Sequence, residues 1–299
     1  MPKLDRITEA LERAQAQDSV GDSGHNVFRV NPAPLTPVVH KAEFLRGTPG
    51  RAAIVYNRTR VANVPRDELI RSGIVVDGAE APLTNAIKLL RTQIVQKMRE
   101  RGWRTLAIVS PAEGEGKSFM AANFAVSIAA EFDQTVLLID ANLRTPSLHR
   151  YFGLPAEPGL SDYLVRRAPL DTILVNPGIE RLVIMPAGSA QPNSAELLGS
   201  TEMTALMADV KSRYADRIVV VDLPPVLRSA DALAFAPLVD AMVMVVEDNR
   251  SSRDDITRTH QLLAGTNLIG VVLNKAREKG GETSNGRGDG VLHSIFKRG

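Results

Sequence analysis

The chain has 299 residues, a 44% hydrophobic fraction and a net charge of +2 from 36 basic and 34 acidic side chains. That is enough apolar material for one large α/β domain with attachments or two small domains, and the charge balance lacks the basic excess of a nucleic-acid binder. With no cysteine, disulfides, thiolate metal sites and cysteine nucleophiles are excluded.

The chain reads as four stretches. Over residues 1–16, Leu4, Ile7, Leu11 and Ala14 recur at spacings of three and four, the mark of a short amphipathic helix that docks on the body of the protein or on a partner. Residues 17–80 are a linker or extension in which Pro32, Pro34, Pro37, Pro49 and Pro65 interrupt helices. One short strand is expected there at Ala52–Tyr56, and order is expected to begin near Asp67. Residues 81–276 are the folded domain. It opens with a helix that aligns Leu83, Ile87, Leu90, Ile94 and Met98. Residues 277–299, rich in glycine and charge, are expected to be disordered, with Val291–Phe296 as the last apolar cluster. No apolar run approaches the ~20 residues of a membrane-spanning helix, and the charged N-terminus lacks the apolar core of a signal peptide. A cytoplasmic protein that reaches a membrane only through a partner is the expectation.

Within the domain, six short apolar runs read as strands: Leu106–Val109, Val136–Ile139, Leu182–Met185, Ile218–Val221, Met242–Val246 and Leu268–Leu273. Apolar on both faces and rich in β-branched residues, they suit parallel strands covered by helices on each side. Helices are expected between them, as at Lys117–Glu131 and Ala195–Tyr214. The expected fold class is a doubly wound, mostly parallel α/β sheet.

Four strand ends carry candidate chemistry. Ser110-Pro-Ala-Glu-Gly-Glu-Gly-Lys-Ser118 follows the first strand and opens a helix. Its glycines let backbone N–H groups turn onto phosphate oxygens, and the helix adds its positive end. Lys117 can reach β- and γ-phosphates and the Ser118 hydroxyl can ligate Mg²⁺. The expected nucleotide contacts are Glu113, Gly114, Glu115, Gly116, Lys117, Ser118 and Phe119. Pro111 stands where the strict motif has its first glycine. Gly114 and Gly116 are followed by Lys-Ser, so no dinucleotide-binding Gly-x-Gly-x-x-Gly exists here. Asp140 ends the second strand in Asp140-Ala-Asn142-Leu-Arg144, and could organise a metal-bound water, accept a proton or cap the next turn. Asp222 ends Ile218-Val-Val-Val-Asp222-Leu-Pro-Pro225, the pattern of a Walker B carboxylate. Asn274 closes the last strand with the donor and acceptor that an adenine edge requires, or serves as a turn residue.

Together these motifs resemble the bacterial tyrosine kinases of capsule and exopolysaccharide export, within the MinD/ParA-like class of P-loop ATPases. Arg144-Thr-Pro-Ser-Leu-His149, Gly159-Leu-Ser-Asp-Tyr-Leu164 and Pro192-Asn-Ser-Ala-Glu-Leu-Leu198 extend the resemblance over about residues 81–276. The N-terminal helix and linker are similar to the exosortase-associated branch. The resemblance implies ATP and Mg²⁺ as ligands, with transfer of the γ-phosphate to tyrosine. Lys117 would stabilise the transferring phosphate and Asp140 would activate the hydroxyl, while Ser118, Asp140 and Asp222 would serve the metal. It also implies a membrane polysaccharide co-polymerase as partner, a possible homo-oligomer, and a place beside the inner membrane.

Three departures qualify it. Asn142 stands where the family carries a second aspartate. The four tyrosines, Tyr56, Tyr151, Tyr163 and Tyr214, all lie outside the tail. Asn85-x-x-Lys88-x-x-Arg91 replaces the Glu-x-x-Arg-x-x-Arg of ring assembly. A second function therefore stays open: a MgATP-binding regulatory partner with little kinase activity. A partitioning ATPase is disfavoured, because Ala112 occupies the position of its extra lysine.

Overall fold

The computed structural model describes residues 59–75, 82–131, 134–212, 217–276 and the strand 291–296. The expected N-terminal helix and the strand at 52–56 lie outside the described residues.

The sequence pattern resolves into β1 (Arg60–Val61), α1 (Arg66–Arg71), α2 (Pro82–Arg101), β2 (Thr105–Val109), α3 (Lys117–Ala129), β3 (Thr135–Asp140), α4 (Leu148–Tyr151) and α5 (Leu160–Arg166). There follow α6 (Leu170–Ile173), β4 (Val175–Asn176), β5 (Leu182–Met185), α7 (Ser194–Leu198), α8 (Thr201–Ser212), β6 (Arg217–Asp222) and α9 (Asp231–Phe235). The last elements are β7 (Ala241–Glu247), α10 (Arg253–Leu262), β8 (Leu268–Ala276) and β9 (Val291–Phe296). The strands form one sheet in the order β1-β4-β5-β3-β6-β2-β7-β8-β9. Its centre, from β5 through β8, is parallel.

Strand side chains alternate between the two faces, and both faces are buried. On β2, Leu106 and Ile108 join one core with Ile94, Met98, Phe124 and Phe152. Ala107 and Val109 join the other with Leu160, Met207, Val210 and Phe235. Each fully buried Leu, Ile or Phe contributes roughly 1.5–3 kcal/mol relative to exposure. The all-apolar strands seen in the sequence are thus the middle of three layers. Helix α2 begins on Pro82, whose ring suits a first turn. It ends at Gly102, which adopts φ 66° while Trp103 N–H closes onto the Met98 carbonyl at 2.9 Å.

Strand β2 lies between β6 and β7, both formed much later in the chain. The chain runs from β2 to β3 on one side and from β6 across to β7 on the other. The strand ends around that reversal form the crevice in which open α/β sheets bind ligands.

Three expectations are corrected. The single helix Ala195–Tyr214 is two, α7 and α8, separated at Gly199–Ser200; the Ser200 hydroxyl accepts from Met203 N–H at 3.1 Å and caps the second. Order, expected to begin near Asp67 within the 17–80 extension, already holds from residue 59: residues 59–75 pack on the domain, with Val64, Leu69 and Ile74 buried in the core of the α3 face. Three anchors spread over eleven positions make no periodic signal. Residues 291–296, expected in a disordered tail, pair antiparallel with β8 and cover its open edge, removing a row of unpaired backbone groups.

Candidate functional site

The segment after β2 wraps into a cradle because Gly114 and Gly116 take φ values of 81° and 92°, a region that penalises side chains. Gly116 sits at the N-cap of α3, so Lys117 and Ser118 are its first residues. Lys117 Nζ lies 3.1 Å from Ser118 Oγ and 3.7 Å from Asp222 Oδ1. Lys117 and Ser118, with Asn142, Ser147, Arg150 and Tyr151, line a cleft of about 510 Å³, with Asp222 buried behind it.

The cradle is held from outside. Glu115 is buried and points away from the cleft, its carboxylate accepting from Ala112 N–H at 2.8 Å and from the Ser251 hydroxyl. Burial raises its pKa, against the pull of these hydrogen bonds. Asn274 Nδ2 donates to the Glu115 carbonyl at 3.0 Å, and its Oδ1 accepts from Lys275 N–H at 2.9 Å. In this arrangement its Nδ2 braces the cradle, and one N–H and one oxygen lone pair of the amide remain for a further partner. Lys275 Nζ donates to the Gly114 carbonyl at 3.1 Å and pairs with Glu247 at 2.9 Å. Glu113 is exposed, with Arg228 3.8 Å away. Phe119 turns its ring edge-on to Tyr151, centroids 6.4 Å apart.

A Cβ on Gly116 would stand 1.9 Å from Asn274 Nδ2. Gly116→Ala is therefore expected to lower stability by about 2 kcal/mol, through backbone strain and the loss of the Asn274 bond, and to weaken nucleotide binding in parallel. Urea unfolding together with nucleotide titration checks this, and an unchanged protein would refute the brace.

Asp140 and Asp222 end adjacent parallel strands in direct register, and both are fully buried. Asp140 is fixed by three backbone donors: Asn142 N–H at 3.1 Å on one oxygen, Ser147 N–H at 3.3 Å and Leu148 N–H at 3.1 Å on the other. The capping role is thus real, and it orients the carboxyl. Burial, then the nearby Asp222 charge, pushes its pKa up to about 7. Burial also raises Asp222, while the Lys117 ammonium pulls it down. Neither Asp222 oxygen has a partner at hydrogen-bond distance; its counter-charge is the Lys117 ammonium 3.7 Å away, an incomplete pairing for a fully buried carboxylate. Asn142 folds into its own turn: Nδ2 donates to the Thr145 carbonyl at 3.1 Å, and Oδ1 accepts from the Thr145 hydroxyl at 3.2 Å. Arg144 leaves the cleft to pair with buried Asp231 at 3.2 Å.

Sequence reasoning missed Ser147, Arg150 and Tyr151 as cleft-lining residues. Their only signal was proximity to the Asp140 motif. It also missed Ser251 and Lys275, whose contacts to the cradle span more than a hundred residues of chain.

The CobQ/CobB/MinD/ParA nucleotide-binding domain family matches residues 106–288. The chain belongs to this family of nucleotide-binding proteins. Within it, the chain is 32% identical over 189 residues to the tyrosine-protein kinase YwqD of Bacillus subtilis, covering 62% of this chain and 78% of that one. It is 30% identical over 219 residues to the tyrosine-protein kinase Etk of Escherichia coli K12, covering 73% of this chain but 29% of Etk. Among solved structures, the kinase domain of Escherichia coli Etk superposes with a TM-score of 0.62 at 26% identity, over 76% of this chain and 93% of that one. The chimerical protein CapA2B2 does so with a TM-score of 0.62 at 27% identity, over 71% and 91%. This chain is a member of the bacterial tyrosine-kinase family.

Proposed function

We propose that the chain binds MgATP in the Lys117–Asp222 cleft and transfers the γ-phosphate to a tyrosine, in the service of exopolysaccharide assembly. The observation that carries this reading is the Asp222 carboxylate, buried without a hydrogen-bond partner beside Lys117 and Ser118. The donor set fits Mg²⁺ delivered with a nucleotide. Ser118 and Asp222 supply oxygen atoms, and no cluster of three or more carboxylates or histidines among the described residues forms a self-sufficient cage. Mg²⁺, when bound, neutralises charge on the β- and γ-phosphate oxygens.

The residues then divide the work. The cradle amides and the α3 N-terminus orient the phosphates. Lys117 follows the charge that develops on the transferring group. The tyrosine oxygen forms the new bond to phosphorus as the bond to the ADP oxygen breaks. Asp140, with a pKa near neutrality, takes the phenolic proton. The partner proposed is a membrane polysaccharide co-polymerase. No helix among the described residues is long and apolar enough to cross a membrane, so the partner would supply the membrane contact. Incubation with labelled ATP and Mg²⁺ tests the reading: phosphotyrosine forms with wild type and not with Lys117→Ala. Equal signals from the two proteins would overturn it.

A second reading, a nucleotide-dependent regulator with little kinase activity, is favoured by Asn142. Its amide is tied to Thr145, and it is neutral where the family motif it resembles implies an acid. In Asn142→Asp a carboxylate oxygen would face the Thr145 carbonyl and be repelled from it. The substitution is therefore expected to swing toward the cleft and tighten Mg²⁺ dependence about tenfold, since ligand charge tunes such affinities. Mg²⁺ titration of phosphotransfer reads this. An unchanged curve would show that position 142 does not serve the metal.

A further inference from the structure

The segment 59–75 is joined to the nucleotide cleft by a buried side chain that the proposed chemistry does not use. Asn123 lies in α3, 1% exposed. Its Oδ1 accepts from Val75 N–H at 2.6 Å, and its Nδ2 donates to the Gly73 carbonyl at 3.1 Å and to the Phe119 carbonyl at 3.0 Å. One amide thereby ties the end of the segment to the turn of α3 directly after Lys117 and Ser118. Gly73 closes on the same turn, since a Cβ there would lie 3.4 Å from the Phe119 ring. Phe119 in turn meets Tyr151, which lines the cleft.

The segment also reaches the opposite wall. Glu68 of α1 sits against Gly153, at the corner that ends α4, so closely that a Cβ on this glycine would be 2.7 Å from Glu68 Oε1. Leu69 and Ile74 share a core with Phe124 of α3 and Phe152 of the corner. Its other end is fixed to β4, with Ala62 N–H donating to the Asn176 carbonyl at 2.7 Å. The segment therefore spans α3 and the α4 corner, the two elements that bring Ser118 and Tyr151 to the cleft.

We infer that Asn123 is a positioning residue through which the 59–75 segment and the bound nucleotide stabilise the same arrangement of α3 and α4, so that docking of one strengthens binding of the other. The inference rests on the MgATP reading above. Two ligands of one arrangement must help each other by the same factor, of order 5–150-fold for couplings of this kind.

Hydrogen exchange on the full chain tests it, with and without MgATP. In wild type, nucleotide is expected to slow exchange in residues 66–75 by about threefold or more as well as in 110–118. In Asn123→Ala, MgATP affinity is expected to fall about tenfold, and 110–118 should still be protected at saturating nucleotide while the slowing in 66–75 disappears. A purely structural role would lower the melting temperature but leave that slowing intact, and this overturns the inference. So does a wild-type protein in which 110–118 is protected and 66–75 does not respond, a result that needs no variant to fold. Absence of protection in 110–118 itself marks failure of the nucleotide reading instead.

Discussion

Replacing Lys117 with methionine is expected to slow phosphotransfer by roughly 10²–10³-fold, the usual loss when one preorganised charge-stabilising group is removed, with a smaller loss of nucleotide affinity. The difference follows from geometry. The cradle amides and the α3 terminus remain, and in the proposed complex they would hold phosphate oxygens in the ground state. The ammonium, 3.7 Å from Asp222 and 3.1 Å from Ser118, is the mobile charge that can follow the phosphoryl group as it transfers. Methionine keeps an unbranched stem in a position only 8% exposed, so packing is preserved. Removing the cation leaves Asp222 without its counter-charge, yet burial already raises its pKa, and it can take up a proton rather than unfold the sheet. Single-turnover phosphorylation, nucleotide calorimetry and a urea midpoint measured together check the argument. A rate within threefold of wild type would remove Lys117 from the chemistry.

The parts of this molecule that were legible in the sequence are those set by local rules. Strand runs apolar on both faces call for a sheet covered by helices on each side. Asp140 and Asp222 each end such a run, and equal strand position brings them into register. Gly114 and Gly116 stand where backbone must turn left-handed. What stayed hidden depends on contacts distant in the chain. The bond of Glu115 to Ser251 has no local signature, because the two residues lie more than a hundred positions apart. Asn274 carries the right groups for adenine, but only the fold reveals that Glu115 and Lys275 engage both of them. The 59–75 segment is stabilised by α3 and the α4 corner rather than by its own periodicity. Strand β9 is defined by the open edge of β8 that it covers.

The register of Asp140 and Asp222 also predicts an inverted dependence of stability on pH. An aspartate whose folded pKa is raised binds more protons in the native state than in the unfolded chain, so stability falls as pH rises between the two values. For Asp140 the window runs from 3.8 to about 7, and Asp222 shifts in the same direction. A shift of this size in a fully buried group corresponds to roughly 4 kcal/mol, at about 1.4 kcal/mol per unit. The nucleotide-free protein is therefore expected to be less stable at pH 8 than at pH 5. Asp222→Asn removes one titrating group and the charge that is the second cause of the Asp140 shift, while desolvation of Asp140 persists. The stability gap between pH 5 and pH 8 should shrink by about 1–2 kcal/mol, and phosphotransfer should fall roughly 10²–10³-fold. MgATP, which favours the ionised pair, should stabilise wild type more at pH 8 than at pH 5. Urea unfolding across this range, with and without MgATP, measures all three effects. Parallel pH profiles for wild type and Asp222→Asn would show that the two carboxylates do not feel each other, and would leave burial as the sole cause of the raised Asp140 pKa.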